Sequence, residues 1–178
     1  DFEYESGEIS DINAIIPENL MKNEEERNKI KAKIEDCVPE NTSGVYVFKV
    51  VECLSEGASV FDSKWEKHRE NKKTPALIKK NKESPILYVG KDNNLRTRLL
   101  NHIYGVSKDQ KTGEYLWQST SGLKLSGFII DNPDFKFKVE FFYIIKGDSD
   151  DKTYMLLNQL VEKVLHDQLN PRLGSSMS

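Results

Sequence analysis

The stretch Ile86 to His102, ILYVGKDNNLRTRLLNH, passes from a short apolar segment through a glycine into a helical pattern that carries Arg96, Arg98 and His102. Arg98 and His102 are four residues apart, so on a helix they share one face beside the apolar stripe Leu95, Leu99 and Ile103. A guanidinium presents a planar fork of N–H donors that matches phosphate oxygens, and a neighbouring histidine can orient a group or relay a proton. Nearer the C-terminus, Asn158, Glu162 and His166 recur at intervals of four and line a second polar helix face. Taken singly, each also has a structural role: an arginine in a surface ion pair, a packed histidine, a glutamate on a solvated helix.

Elements to position these groups are legible along the chain. Residues 18–38 are rich in helix formers, with Leu20, Ile30, Ile34 and Val38 at helix-compatible intervals. SGVYVFKVV, residues 43–51, is a β-branched and aromatic strand pattern with Val45, Val47 and Lys49 on one face and Tyr46, Phe48 and Val50 on the other. PILYVG is a second strand closed by Gly90, and Asn93 or Asn94 is placed to cap the helix that follows. Residues 104–134 carry no sustained period and predict a short helix or a pair of loops. DFKFKVEFFYII predicts a third strand, and a final helix is expected over residues 152–168, ended by Pro171. The order predicts an α+β domain, a small, mainly antiparallel three-stranded sheet flanked by helices, with an N-terminal helical extension. Residues 1–40 are expected to form an acidic arm and a helix packed on the core, and residues 41–178 the main domain.

The net charge of -3 argues against a nucleic-acid partner until its distribution is considered. Residues 1–21 hold six acids and no lysine or arginine, which leaves the rest of the chain at +3. A basic insertion at about residues 53–84 contains Lys64, Lys67, Arg69, Lys72, Lys73, Lys79 and Lys80. It is either a solvated loop or a source of sequence-independent phosphate affinity, with Trp65 or His68 available for stacking. The acidic leader is expected to compete with nucleic acid for this surface, so truncation before Glu18 would tighten binding. No apolar run approaches the ~20 residues that span a bilayer, and no secretory core lies near the N-terminus, so a cytoplasmic protein, or one of the nucleoid or nucleus, is expected. Cys37 and Cys53 are expected as free thiols, and their spacing does not fit a zinc site.

GVY at Gly44 to Tyr46 and YVG at Tyr88 to Gly90 resemble the paired signature of the GIY-YIG nuclease family. Arg98 stands ten residues after Tyr88, His102 follows four residues later, and Glu162 lies nine residues before Pro171, each similar to the family's pattern. The resemblance covers roughly residues 43–173. It departs from the family in the link of about 35 residues between the first two strands, and in Gly174, twelve residues after Glu162, where the family often has asparagine. Asn170 is the candidate substitute.

The resemblance implies a metal-dependent endonuclease that hydrolyses DNA, with Tyr46, Tyr88, Arg98, His102 and Glu162 as its catalytic set. Phosphodiester hydrolysis requires an activated water, in-line geometry, neutralised non-bridging oxygens and help for the leaving alkoxide. Magnesium or manganese suits the last two tasks while needing only one or two carboxylates, and Glu162 is the implied anchor. Arg98 would clamp the phosphate. Tyr46 would act as general base or orient the water, which requires neighbours such as Arg98 or the metal to favour its phenolate over the usual pKa of about 10. Tyr88 would hydrogen-bond to the phosphate or to Tyr46, and His102 would orient it or relay a proton. Lys91 and Arg96 would add positive charge, and Gly44 and Gly90 would permit close backbone approach. RNA is not excluded as substrate. Two alternatives are a non-catalytic nucleic-acid-binding or assembly module of the same fold, and a protein-interaction role for the N-terminal region. Oligomeric state is left open.

Overall fold

The computed structural model describes residues 2–53, 58–70, 72–81 and 83–174. Its centre is an antiparallel sheet in the order β1-β6-β2-β3, made of β1 (Glu5–Ile9), β6 (Phe135–Ile145), β2 (Thr42–Cys53) and β3 (Ile86–Asp92). The sheet has four strands where three were expected. The fourth, β1, comes from the acidic leader and pairs with β6 from Glu5 opposite Tyr143 to Ile9 opposite Val139. Its sequence ESGEI lacks an alternating pattern because an edge strand is held by backbone bonds and buries little. Truncation before Glu18 would therefore remove a strand and uncover the edge of β6.

The two middle strands explain which helices pack where. On one face Tyr46 and Phe48 of β2 join Phe135, Phe137, Val139 and Phe141 of β6 in the main core. That core is covered by α1 (Glu24–Cys37), α2 (Ala58–Arg69), α3 (Leu95–Ile103) and α4 (Leu125–Asp131). The opposite face carries Val47, Ile86 and Val89 against Leu165 and Leu169 of α5 (Asp151–Leu169). The helices begin at the polar residues expected of caps: Asn23, Asn94 and Asp150 each accept a bond from the backbone N–H three residues on. The first helix is shorter than the residue pattern implied, since Asn23 caps it within the expected run. At the far end of α5, Asn170 adopts the left-handed conformation with φ 49° and closes the helix.

Residues 104–134 resolve into a hairpin of β4 (Val106–Lys108) and β5 (Tyr115–Trp117), followed by α4. The insertion is better ordered than a basic loop. Helix α2 buries Phe61, Trp65 and His68 among Phe128 and Phe135, so Trp65 and His68 are core residues and not surfaces for stacking. Three-residue spacing set both aromatics on one helix face, and the surrounding lysines masked that face in the sequence. Beyond α2 the chain is tied to the segment after α5 by bonds from Ile78 N–H to Arg172 O at 2.8 Å and Gly174 N–H to Ala76 O at 2.9 Å. Cys37 is a free thiol, and the Cys53 side chain lies outside the described residues. Among the described residues no helix is long and apolar enough to cross a membrane.

Candidate active site

The hydroxyl of Tyr46 sits between two groups from α3. Arg98 Nε donates to it at 3.1 Å, and His102 Nε2 lies 2.9 Å away. The spacing of four residues on α3 aims both side chains at the same strand position. The roles in the second bond follow from the other side of the ring. Leu123 N–H donates to His102 Nδ1 at 3.1 Å, so Nδ1 is unprotonated and a neutral imidazole carries its proton on Nε2. Burial, with the positive charge of Arg98 beside it, pushes the His102 pKa well below its ordinary value and keeps the ring neutral. His102 thus donates to Tyr46; in this arrangement it orients the phenol and does not take its proton.

Tyr46 itself is fully enclosed, with 0% of its surface exposed. Burial and the neighbouring Tyr88 raise its pKa, and the charge and hydrogen bond of Arg98 only partly oppose them. Arg98 by itself does not favour a phenolate: desolvation outweighs the guanidinium, which leaves Tyr46 a neutral phenol. Gly90 is opposite Tyr46 in the β2–β3 register, and a Cβ there would come within 2.5 Å of the Tyr46 hydroxyl. Gly44 has an equally close neighbour, the carbonyl of Phe142 on β6. Both glycines are dictated by close approach across the sheet.

Tyr88 stacks beside Tyr46, with ring centroids 6.4 Å apart, and is half-buried. Burial raises its pKa, Arg98 lowers it by charge and hydrogen bonding, and Glu162 raises it by its charge. Glu162 arrives from α5 and lies 3.9 Å from Lys91 Nζ, with side chains 24% and 26% exposed respectively. Burial raises the Glu162 pKa, offset by Lys91 and Arg98. Tyr46, Tyr88, Arg98, His102 and Glu162 thus meet in one neighbourhood, drawn from three separate stretches of sequence. Asn158, one turn before Glu162, does not join it: its side chain is buried, donating to Ser43 Oγ at 2.7 Å and accepting from Tyr4 at 2.6 Å.

The donor set can be compared with what a divalent ion needs. Among the described residues no group of three or more His, Cys, Asp or Glu comes together. A chelated zinc or calcium centre does not fit, but a hydrated magnesium or manganese ion held through one carboxylate does. The partly exposed Glu162 would be that carboxylate, and the Lys91 ammonium lies 3.9 Å from it.

The loop after β5 was not legible as part of the site. Ser121 O accepts from Arg98 Nη1 at 2.9 Å, and the N–H of the same peptide group, at Gly122, donates to Lys73 O at 3.1 Å. One residue on, Leu123 N–H is held by His102, while Leu123 O accepts from His68 Nε2 at 2.9 Å. The segment 121–123 is therefore gripped from one side by α3 and from the other by the insertion. These contacts are made by backbone atoms, which leave no residue signature.

The remaining sequence candidates are dispersed. Arg96 binds Val38 O at 2.7 Å, Glu40 at 3.3 Å and Glu35 O at 3.4 Å, and so ties α3 to the end of α1. Replacing Arg96 with methionine is expected to cost about 1–2 kcal/mol in urea unfolding through loss of the charged bond to Val38 O. Arg69 is paired with Glu66 at 2.9 Å, and Lys64 lies 5.3 Å from the centre of the Phe135 ring. Lys67 and Lys80 are exposed, and the Lys79 side chain lies outside the described residues. Comparison with protein-family models, with curated proteins and with solved structures gave no match.

Proposed function

We propose that the chain is a metal-dependent endonuclease of the GIY-YIG type that hydrolyses DNA phosphodiester bonds. The observation that carries this reading is the fixed guanidinium of Arg98. Tyr46 and Ser121 hold it at Nε and Nη1, it lies within electrostatic reach of Glu162, and it has further N–H donors for a phosphate. Tyr46 serves as the strut that sets the arginine, and His102 locks the strut. Tyr88, half-buried and next to both Arg98 and Glu162, is the phenol placed to hydrogen-bond to a bound phosphate. Glu162 would hold magnesium or manganese, which when bound supplies charge neutralisation and an acidified water. Hydrolysis then adds water to phosphorus and breaks the bond to the leaving sugar oxygen, which takes up a proton.

A second reading, a non-catalytic nucleic-acid-binding or assembly module, is favoured by the enclosure of Tyr46, which leaves its oxygen no contact with solvent. Incubation of supercoiled, branched and single-stranded DNA with the protein and magnesium or manganese separates the two. Arg98→Ala is expected to lower the cleavage rate by about 10²–10³-fold, and Glu162→Ala to abolish metal-stimulated cleavage. Wild type indistinguishable from Glu162→Ala on every substrate, with salt-sensitive binding retained, would establish the second reading.

A further inference from the structure

The indole of Trp117 at the end of β5 has two ammonium groups against it, Lys22 Nζ at 4.7 Å and Lys72 Nζ at 5.4 Å from the ring centre. Two more lysines adjoin them. Lys73 follows Lys72 in the chain, and Lys124 lies buried at the start of α4 with its ammonium on Gln118 O at 2.8 Å. Burial lowers the Lys72 and Lys124 pKa values, with smaller help from the ammonium of Lys22 on Lys72 and from those of Lys72 and Lys73 on Lys124. Among the described residues none of the four has a carboxylate within ion-pair distance, although Asp131 and Glu70 act on Lys72 from further away. Elsewhere Lys29, Lys49, Lys91, Lys138 and Lys146 each have one. In an acidic chain such a concentration of positive charge without an ion-pair partner among the described residues is complementary to an anion.

Its position sharpens what that anion is. Lys73 O and Arg98 Nη1 bind the two ends of one peptide group, between Ser121 and Gly122. The peptide geometry limits their separation to about 8 Å, close enough for neighbouring nucleotides of one strand to reach both. A duplex would offer the cluster only phosphates, whereas an unpaired strand also offers a base to the half-exposed indole. We propose that Trp117 with Lys22, Lys72 and Lys73, backed by the buried charge of Lys124, forms a cradle for an unpaired nucleic-acid strand running from the phosphate at Arg98. The proposal rests on the nuclease reading for the position of that phosphate, and it makes the substrate a structure with a single-stranded tail. Lys22 lies ahead of α1, Lys72 and Lys73 belong to the insertion, and Trp117 to the hairpin, so all three additions to the sheet share this task. The exposed Lys22 can leave the ring face to admit a base, while Lys72 is fixed by its bond to His68 O at 3.1 Å.

The test is titration of the full chain in metal-free buffer with an oligothymidine strand of about 20 nucleotides, read by tryptophan fluorescence and by anisotropy of a labelled strand. The chain has two tryptophans, and Trp65 is enclosed and stacked on Phe61, so quenching reports on Trp117. Expected are quenching by the strand, its loss in Trp117→Phe, and about tenfold weaker binding in Lys72→Glu/Lys73→Glu and in the surface variant Lys22→Glu, with a shallower salt slope. Preference for the single strand over a duplex of equal length is also expected. Equal affinity of wild type, Lys22→Glu and Trp117→Phe would overturn the cradle, as would binding of duplex without quenching. So would complete competition by inorganic phosphate at millimolar concentration, which marks simple anion affinity. Strand binding without cleavage would then sink the nuclease reading alone, and cleavage without Trp117-dependent binding would sink the cradle alone.

Discussion

Lowering the pH from 7 to 5 is expected to remove about 4 kcal/mol of folding stability through two histidines, His68 and His102. Burial lowers the His68 pKa to about 4, against the partial upward pull of the Leu123 carbonyl and with help from Lys72; burial likewise keeps His102 neutral. In the unfolded chain both titrate near 6.5. Below that value the unfolded state binds more protons than the folded one, so stability falls as pH falls, by about 1.4 kcal/mol per pH unit for each ring. The loss from His68 stops growing near pH 4, where the folded ring itself titrates. Urea unfolding across pH 4 to 8 measures this directly. His68→Gln should remove about one proton from the uptake on unfolding near pH 5.5 while leaving the shared contribution of the carboxylates in place. Identical pH slopes in wild type and His68→Gln would mean that the ring is not held neutral.

Gly90→Ala is expected to cost about 3 kcal/mol, a large effect for one added methyl. The new Cβ would stand 2.5 Å from the Tyr46 hydroxyl and 2.7 Å from its ring carbon Cζ. The ring is enclosed on all sides, so it must tilt, and the tilt breaks the bonds to Arg98 and His102 together. The proposed cleavage should fall by about 10²-fold, since displacing the arginine by an ångström would misplace the phosphate. Gly147→Ala is the control, because its nearest neighbour is the Tyr154 hydroxyl at 3.9 Å and its cost should stay within about 0.5 kcal/mol. A Gly90→Ala protein as stable as this control would remove the steric account of the glycine.

The parts of the fold that the sequence made legible are those whose side chains do the packing. Alternation in FKFKVEFFYII and VYVF marked β6 and β2, and the four-residue intervals of α3 and α5 marked the faces that carry Arg98, His102 and Glu162. What escaped was held by the backbone. β1 adds to the sheet through its main chain, and the segment 121–123 joins the site through carbonyls and N–H groups that any residue possesses. Misread for another reason, Trp65 and His68 lie among lysines whose charge drew attention from the apolar side of the same helix. The charge state of Tyr46 was likewise beyond the sequence, because it depends on desolvation weighed against one guanidinium.

The grip on residues 121–123 also decides how separable the long insertion is. Its helix supplies the donor that holds the Leu123 carbonyl, and the residue Lys73 beyond it supplies the acceptor for Gly122. A chain shortened to a plain hairpin between β2 and β3 would keep every residue of the signature. It would nonetheless lose half of the moorings that present Ser121 to the arginine. The insertion is thus a buttress and not a graft: excising it would set the site adrift even though Tyr46, Tyr88, Arg98, His102 and Glu162 were untouched.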